Sequence, residues 1–323
     1  LQDENDMDVI RGAHNLHPAH RDCAVTIGNF DGVHRGHKTL LAQLSTISVK
    51  QRVPSLLITF EPQPREFLAG SSMPARLTRF REKAMLLRQA GIDKLLCLPF
   101  NERVANLTAE FVVEEFLVKR LAIRYMLIGD DFRFGKDRCG DYQMLKQAGQ
   151  RNSFGVEHLD TQTLGDERIS STAIRRALQA GDMALAEQRL SHVYFIMGRV
   201  TDGRSRGTRI MIPTANIHLH RYRTALSGTF VVLVDGLLDR PLPAVANVGI
   251  RPTINGTEPL LEVHVLDYRH SFYGRLIKVR FLHWIRAEQK FASLAELRER
   301  ITEDIAHARR WFACSNRKIL DHD

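Results

Sequence analysis

The chain has 323 residues, 44% of them hydrophobic and 26% charged, with a formal net charge of +9. That length suits two domains with cores of their own, and no apolar run reaches the roughly 18 residues of a membrane span. The 46 Lys and Arg are spread along the chain without a zinc-finger, basic-zipper or aromatic RNA-binding signature. They predict a solvated basic surface and anionic small ligands, not nucleic acid or a membrane.

The opening residues Leu1 to Asp6 are polar and acidic, and folded structure is expected from near Met7. Nearly continuous apolar runs at 24–28, 55–60, 94–98, 125–129 and 155–159 predict strands buried on both faces of a parallel sheet. Helical patterns lie between them at 36–48, 78–90 and 108–121. Gly91 is a left-handed stop for the second helix, and Thr108 an N-cap for the third. This alternation predicts a doubly wound α/β domain. Cys23, Cys97, Cys139 and Cys314 form no CxxC pair, which predicts free thiols, no structural zinc and a reducing cytoplasm.

After about Leu190 the rhythm changes. Strands are expected at 194–200, 228–234, 243–248, 261–268 and 276–284, separated by Gly, Pro, Asn and Asp. An amphipathic helix over 293–312 follows, with Leu294, Leu297, Ile301, Ile305 and Ala308 on one face and Ser293/Glu296 as a capping box. A small antiparallel β-barrel with a C-terminal helix is the expectation, the two domains being 7–188 and 189–323.

The first strand runs into Gly28-Asn29-Phe30-Asp31-Gly32-Val33-His34-Arg35-Gly36-His37, and a helix follows. Ligands bind at the carboxyl ends of such strands. Gly32 and Gly36 let backbone approach a phosphate, the helix N-terminus offers free N–H groups, and His34 and His37, three apart, can face one anion. An isolated HxxH is equally a surface pair or an adventitious metal site. Farther on, Asp130-Asp131 reads as a metal pair or a strand-end turn. In Ile169-Ser170-Ser171-Thr172-Ala173-Ile174-Arg175, either serine can cap a helix while Thr172 and Arg175 place a hydroxyl and a guanidinium beside phosphates.

Residues 28–37 resemble the HxGH nucleotidyltransferase signature of bacterial bifunctional riboflavin kinase/FAD synthetases. Thr59-Phe60-Glu61-Pro62-Gln63-Pro64, residues 129–135 and residues 169–175 resemble the same family in the same order. The resemblance implies that Gly28, Asn29, Phe30, Asp31, Gly32, Gly36, Asp131, Ser171, Thr172 and Arg175 bind ATP or FMN, with His34 and His37 catalytic. The reaction implied is attack of an FMN phosphate oxygen on the α-phosphorus of ATP, with Mg2+ on the phosphates.

The second half resembles riboflavin kinase at Gly198-Arg199-Val200, Pro213-Thr214-Ala215-Asn216, residues 245–253, Glu262 to Asp267 and residues 285–291. The family pattern implies that Thr214 and Asn216 meet Mg2+ and ATP, and that Glu262 is the base for the riboflavin 5′-hydroxyl; alone, Glu262 reads as an exposed strand residue. Gly203, Gly207, Pro213 and Asn247 would complete the site. One departure is Met211, standing where the family shows a glycine. The leading reading is therefore riboflavin to FMN to FAD, with riboflavin, FMN and ATP as partners and the oligomeric state open. A second keeps the adenylyltransferase beside an impaired, flavin-binding kinase domain. A third is a basic nucleic-acid-binding or flavin-sensing protein that has kept the fold.

Overall fold

The computed structural model describes residues 7–69, 73–201, 214–219, 223–253, 256–268 and 270–315. It divides into two compact units, one of residues 1–73 and 78–170, the other of residues 74–77 and 171–323.

The first unit is built on six parallel strands: β1 (Asp8–Arg11), β2 (Ala24–Ile27), β3 (Ser55–Phe60), β4 (Lys94–Leu98), β5 (Tyr125–Gly129) and β6 (Gly155–Leu159). Their order is β1-β4-β3-β2-β5-β6. Strands β2 to β6 fall within a residue of the expected runs. β1 is an addition: its four residues DVIR bury only Ile10, too little pattern to announce a strand. On one face of the sheet Val25, Leu56, Ile58, Leu96, Met126 and Ile128 pack with Val113, Leu117 and Leu121. Helix α1 (Arg35–Gln51) lies over the central strands on the other face and buries Leu40, Leu41 and Leu44. β6 is largely exposed, as its Glu157 and His158 require of an edge strand.

Two expectations need correcting. Helix α2 (Pro64–Ala69) precedes α3 (Phe80–Gln89), which starts later than expected because Thr78 is spent elsewhere and Arg79 takes the cap position. Its C-terminal turn does end at Gly91, with φ +74°. After α4 (Glu102–Ala105), the helix expected over 108–121 begins as one α-turn, α5 (Ala109–Phe111), capped by Thr108, and continues as a wider π winding over Val112–Arg120. Helix α6 (Tyr142–Asn152) then leads to β6, and the short hairpin β7 (Thr163–Leu164)/β8 (Glu167–Arg168) follows.

The second unit opens with α7 (Ser171–Gln179) and α8 (Met183–Leu190). A closed barrel follows, made of β9 (Phe195–Thr201), β10 (Ala215–His218), β11 (Gly228–Asp235), β12 (Leu242–Thr253), β13 (Gly256–Val265) and β14 (Leu276–Arg286). They close in the order β10-β13-β12-β11-β14-β9 with antiparallel pairing throughout. Ile217, Phe230, Val232, Ala246, Leu261, Val263 and Phe281 fill the interior, and α7 adds Ile174 and Leu178 to the same core. β12 runs on past, and β13 starts ahead of, the strands expected at 243–248 and 261–268. β10, only four residues long, falls where a loop was expected.

Helix α9 (Leu294–Cys314) packs Ala308, Ile305, Trp311 and Phe312 against Val231, Val245 and Leu266. Leu294, expected on the apolar face, is instead 48% exposed. The cap is also modified: Ser293 accepts from the Glu296 N–H at 3.1 Å, but Glu296 reaches back to the N–H of Ala292.

Candidate active sites

The order of the first sheet reverses at β2, so the crevice beyond the carboxyl ends of β2 and its neighbours β3 and β5 is the switch point of the fold. The segments that follow these three strands are Gly28 to His37, Glu61 to Pro64 and Asp130 to Gly135. Three motifs scattered over a hundred residues of sequence thus leave the sheet on one edge.

The turn after β2 is conformationally costly. Phe30, Gly32 and Val33 have φ of +47°, +85° and +41°, and a positive φ at buried, β-branched Val33 is rarely seen. Buried Thr78 holds the turn in place. Its hydroxyl accepts from the Gly32 N–H at 2.9 Å, while its own N–H and hydroxyl donate to Asp31 Oδ1 at 3.0 and 3.3 Å. Asp31 is 3% exposed, so its carboxylate braces the turn from within.

His34 caps α1, its Nδ1 accepting from the His37 N–H at 3.3 Å. The two rings stack with centroids 3.6 Å apart at 16°, and Phe30 lies 4.7 Å from the His37 ring. Burial pushes the His34 pKa down to about 4, Asp31 opposing the shift and Arg168 adding to it. Burial also drives His37 well below its ordinary value, helped by His34 and Lys83. Both rings are therefore neutral at pH 7. With Nδ1 of His34 an acceptor, its proton sits on Nε2, which is left to donate to a ligand.

Asp131 pairs with Arg168 at 2.6 Å on the exposed rim, and Asp130 accepts from the Thr161 hydroxyl at 2.6 Å, which lowers its pKa. The strand-end turn is what the structure shows at this pair. Phe60, Phe67 and Phe100 make a second feature of this edge, with edge-on ring contacts of 5.6 and 5.7 Å. Thr78, Lys83 and Arg168 escaped the sequence reading, whereas Thr59 opens one of its matched segments. Lys83 did carry a signal, since it shares the buried stripe of α3 with Leu86 and Leu87.

Ser171, Thr172 and Arg175 lie in the first two turns of α7, within the second unit. Ala173 and Ile174 are buried, Thr172 is exposed, and Arg175 donates through Nε to the Ala75 carbonyl.

In the barrel, register assembles the second set. Asn216 on β10 faces Glu262 on β13, Glu262 faces Asn247 on β12, and Asn247 faces Thr229 on β11. The alternate residues Leu261 and Val263 point into the core, so this polar row lies on the outer face of the barrel. The Thr229 hydroxyl donates to Asn247 Oδ1 at 3.3 Å. Asn216 is 4% exposed, yet its Oδ1 has no hydrogen-bond partner among the described residues. Such an orphaned buried oxygen, with the Thr214 hydroxyl two residues away, fits a hard cation. Gly203, Gly207, Met211 and Pro213 lie outside the described residues.

A nucleotide-type crevice on a doubly wound sheet, joined in one chain to a barrel bearing a carboxylate–amide–hydroxyl row, defines a two-site transferase. A family model described as FAD synthetase matches residues 16–173, and one described as Riboflavin kinase matches residues 190–312. The chain belongs to the bifunctional riboflavin kinase/FMN adenylyltransferase family. The enzyme of that name from Escherichia coli (strain K12) is 47% identical over 307 residues, 95% of this chain and 98% of its own. The one from Pseudomonas fluorescens is 45% identical over 304 residues, covering 94% and 97%. A crystal structure described as a macrolide-efflux protein from Streptococcus pneumoniae shares the fold, with a TM-score of 0.78 and 28% identity over 94% of this chain and 100% of that one. No helix among the described residues is long and apolar enough to cross a membrane. Matches to both halves support two activities over an impaired kinase domain.

Proposed function

We propose that this chain phosphorylates riboflavin to FMN at the Asn216–Glu262–Asn247 row and adenylylates FMN to FAD at the His34–His37 turn. The observation that carries the second assignment is the stacked, neutral histidine pair at the switch-point crevice. In adenylyl transfer an FMN phosphate oxygen bonds to the α-phosphorus of ATP while the bond from that phosphorus to the pyrophosphate oxygen breaks. The nucleophile is already anionic, so alignment and charge stabilisation are what the protein must supply. Nε2–H of His34 and the free N–H groups opening α1 serve the phosphates. Thr172 and Arg175 bind nucleotide by the family motif that they match. Gly28, Asn29, Phe30, Gly32 and Gly36 shape the turn around them, and Asp31 braces it. The Phe60–Phe67–Phe100 cluster offers an apolar, aromatic surface to the isoalloxazine ring.

In the kinase reaction the ribityl hydroxyl must lose its proton, which Glu262 takes, as its oxygen bonds to the γ-phosphorus of ATP and the bond from that phosphorus to the bridging oxygen breaks, releasing ADP. Thr214 and Asn216 would hold Mg2+, which neutralises phosphate charge when bound. Gly203, Gly207 and Pro213 belong to the nucleotide loop of this site. The functional domains are 7–188 and 189–323, and the four free cysteines suit a cytoplasmic setting. Chromatography of flavins after incubation with riboflavin, ATP and magnesium tests the reading: FMN should appear first and FAD later. FAD formed only when FMN is supplied would restore the impaired-kinase alternative.

A further inference from the structure

Lys83 is fully buried, with 0% of its surface exposed, in the second turn of α3. Lysine is seldom found wholly inside a protein, because its ammonium gives up strong hydration there. Here Nζ donates to Thr59 Oγ1 at 3.1 Å, and that hydroxyl donates in turn to the carbonyl of Asn29 at 3.5 Å. Thr59 is itself 0% exposed. Asn29 opens the turn that holds Phe30, Gly32 and Val33 in left-handed conformations. The relay therefore ends on the strained segment that presents His34 and His37.

We propose that Lys83 is a positioning residue for adenylyl transfer: it fixes the Asn29 carbonyl through Thr59. This rests on the adenylyltransferase reading of the first unit. Lys83 acts through Thr59 and Asn29, without touching substrate. The groups that act on His37 are His34, stacked upon it, and Lys83, both of which oppose its protonation; Asp31 and Arg168 act on His34. The ammonium thereby also helps hold His37 as a neutral donor.

The test begins with the wild-type chain, FMN and ATP. No FAD there would defeat the adenylyltransferase reading itself, independently of Lys83. Given FAD formation, Lys83→Met should raise KM for ATP by about tenfold or more, leave riboflavin phosphorylation unchanged, and shift the His37 titration upward in NMR of labelled histidine. Thr59→Val, nearly isosteric, should raise KM for ATP in the same direction by a smaller factor. An unchanged KM and an unmoved His37 titration in Lys83→Met would overturn the proposal, because a packing residue would give that result. Should circular dichroism show Lys83→Met unfolded, Thr59→Val decides: a raised KM supports the relay, and a wild-type KM overturns it.

Discussion

Nδ1 of His34 accepts the backbone N–H of His37 at 3.3 Å, so a single bond caps helix α1 and fixes which nitrogen of His34 faces the crevice. The same burial that shapes this contact makes it sensitive to acid. The folded pKa of His34 is about 4, against 6.5 for a free imidazole. As pH falls, the unfolded chain takes up the proton first, so stability is complete above about pH 6.5 and drains away toward pH 4. The loss from His34 alone is on the order of 3 kcal/mol, and His37 acts in the same sense. Urea unfolding at pH 7.5 and pH 5 should show it, with His34→Ala flattening the difference. That variant should also lose FAD formation while still making FMN. Loss of both activities together would contradict the division into two sites.

Thr78 gives a second prediction. Its hydroxyl and N–H serve both Asp31 and Gly32, so Thr78→Val removes two of the three hydrogen bonds that brace the strained turn. The expected cost is about 1–3 kcal/mol in the first unit. FMN adenylylation should weaken through KM for ATP, and riboflavin phosphorylation should not change. Steady-state kinetics of the two half-reactions on one preparation would reveal any other pattern.

The strands of the first sheet were legible because burial on both faces leaves continuous apolar runs. β1 and β10 were not: four residues at an edge or in a short barrel strand carry no period to count. The histidine pair could be read because its glycines, strand and helix are adjacent in sequence. Thr78 and Lys83 were hidden because their partners lie 47 and 24 residues away, and a threonine or lysine announces no such contact. Glu262 could be picked out along its strand, but only the register of β13 against β10 and β12 shows that Asn216 and Asn247 flank it. Thr108 as a cap was correct, whereas nothing in Val112 to Arg120 foretold the π winding that follows it.

Asn216, Glu262 and Asn247 share one cross-strand row, which makes the kinase half separable by mutation. Glu262→Gln keeps the size of the side chain and removes the proposed base, and should cut riboflavin phosphorylation at least about a hundredfold. FAD formation from supplied FMN should continue at the wild-type rate. Asn216→Ala should act differently, raising the magnesium concentration needed for half-maximal kinase activity, because its Oδ1, without a partner among the described residues, is the atom suited to a cation. Kinase turnover surviving in Glu262→Gln would remove Glu262 as the base. An unmoved magnesium dependence in Asn216→Ala would do the same for Asn216 as a ligand.

The last prediction concerns what holds α9 on the barrel. Arg286 ends β14 and grips Asp304 of α9 with Nε at 3.0 and 3.1 Å from the two carboxylate oxygens and Nη2 at 2.8 Å from Oδ2. The side chains are only 11% and 4% exposed. A buried pair of this kind is costly to break, because the remaining charge stays desolvated. Asp304→Ala should therefore destabilise the second unit by about 3–5 kcal/mol, although Arg300 approaches Asp304 as well, at 3.8 Å. Replacing both partners with Arg286→Met and Asp304→Leu should recover much of that loss, since no buried charge is then left behind. Both tryptophans of the chain, Trp284 on β14 and Trp311 on α9, lie in this unit. Their fluorescence during guanidinium unfolding reports this unit selectively, and a single variant as stable as wild type would show that the pair contributes little to docking the helix.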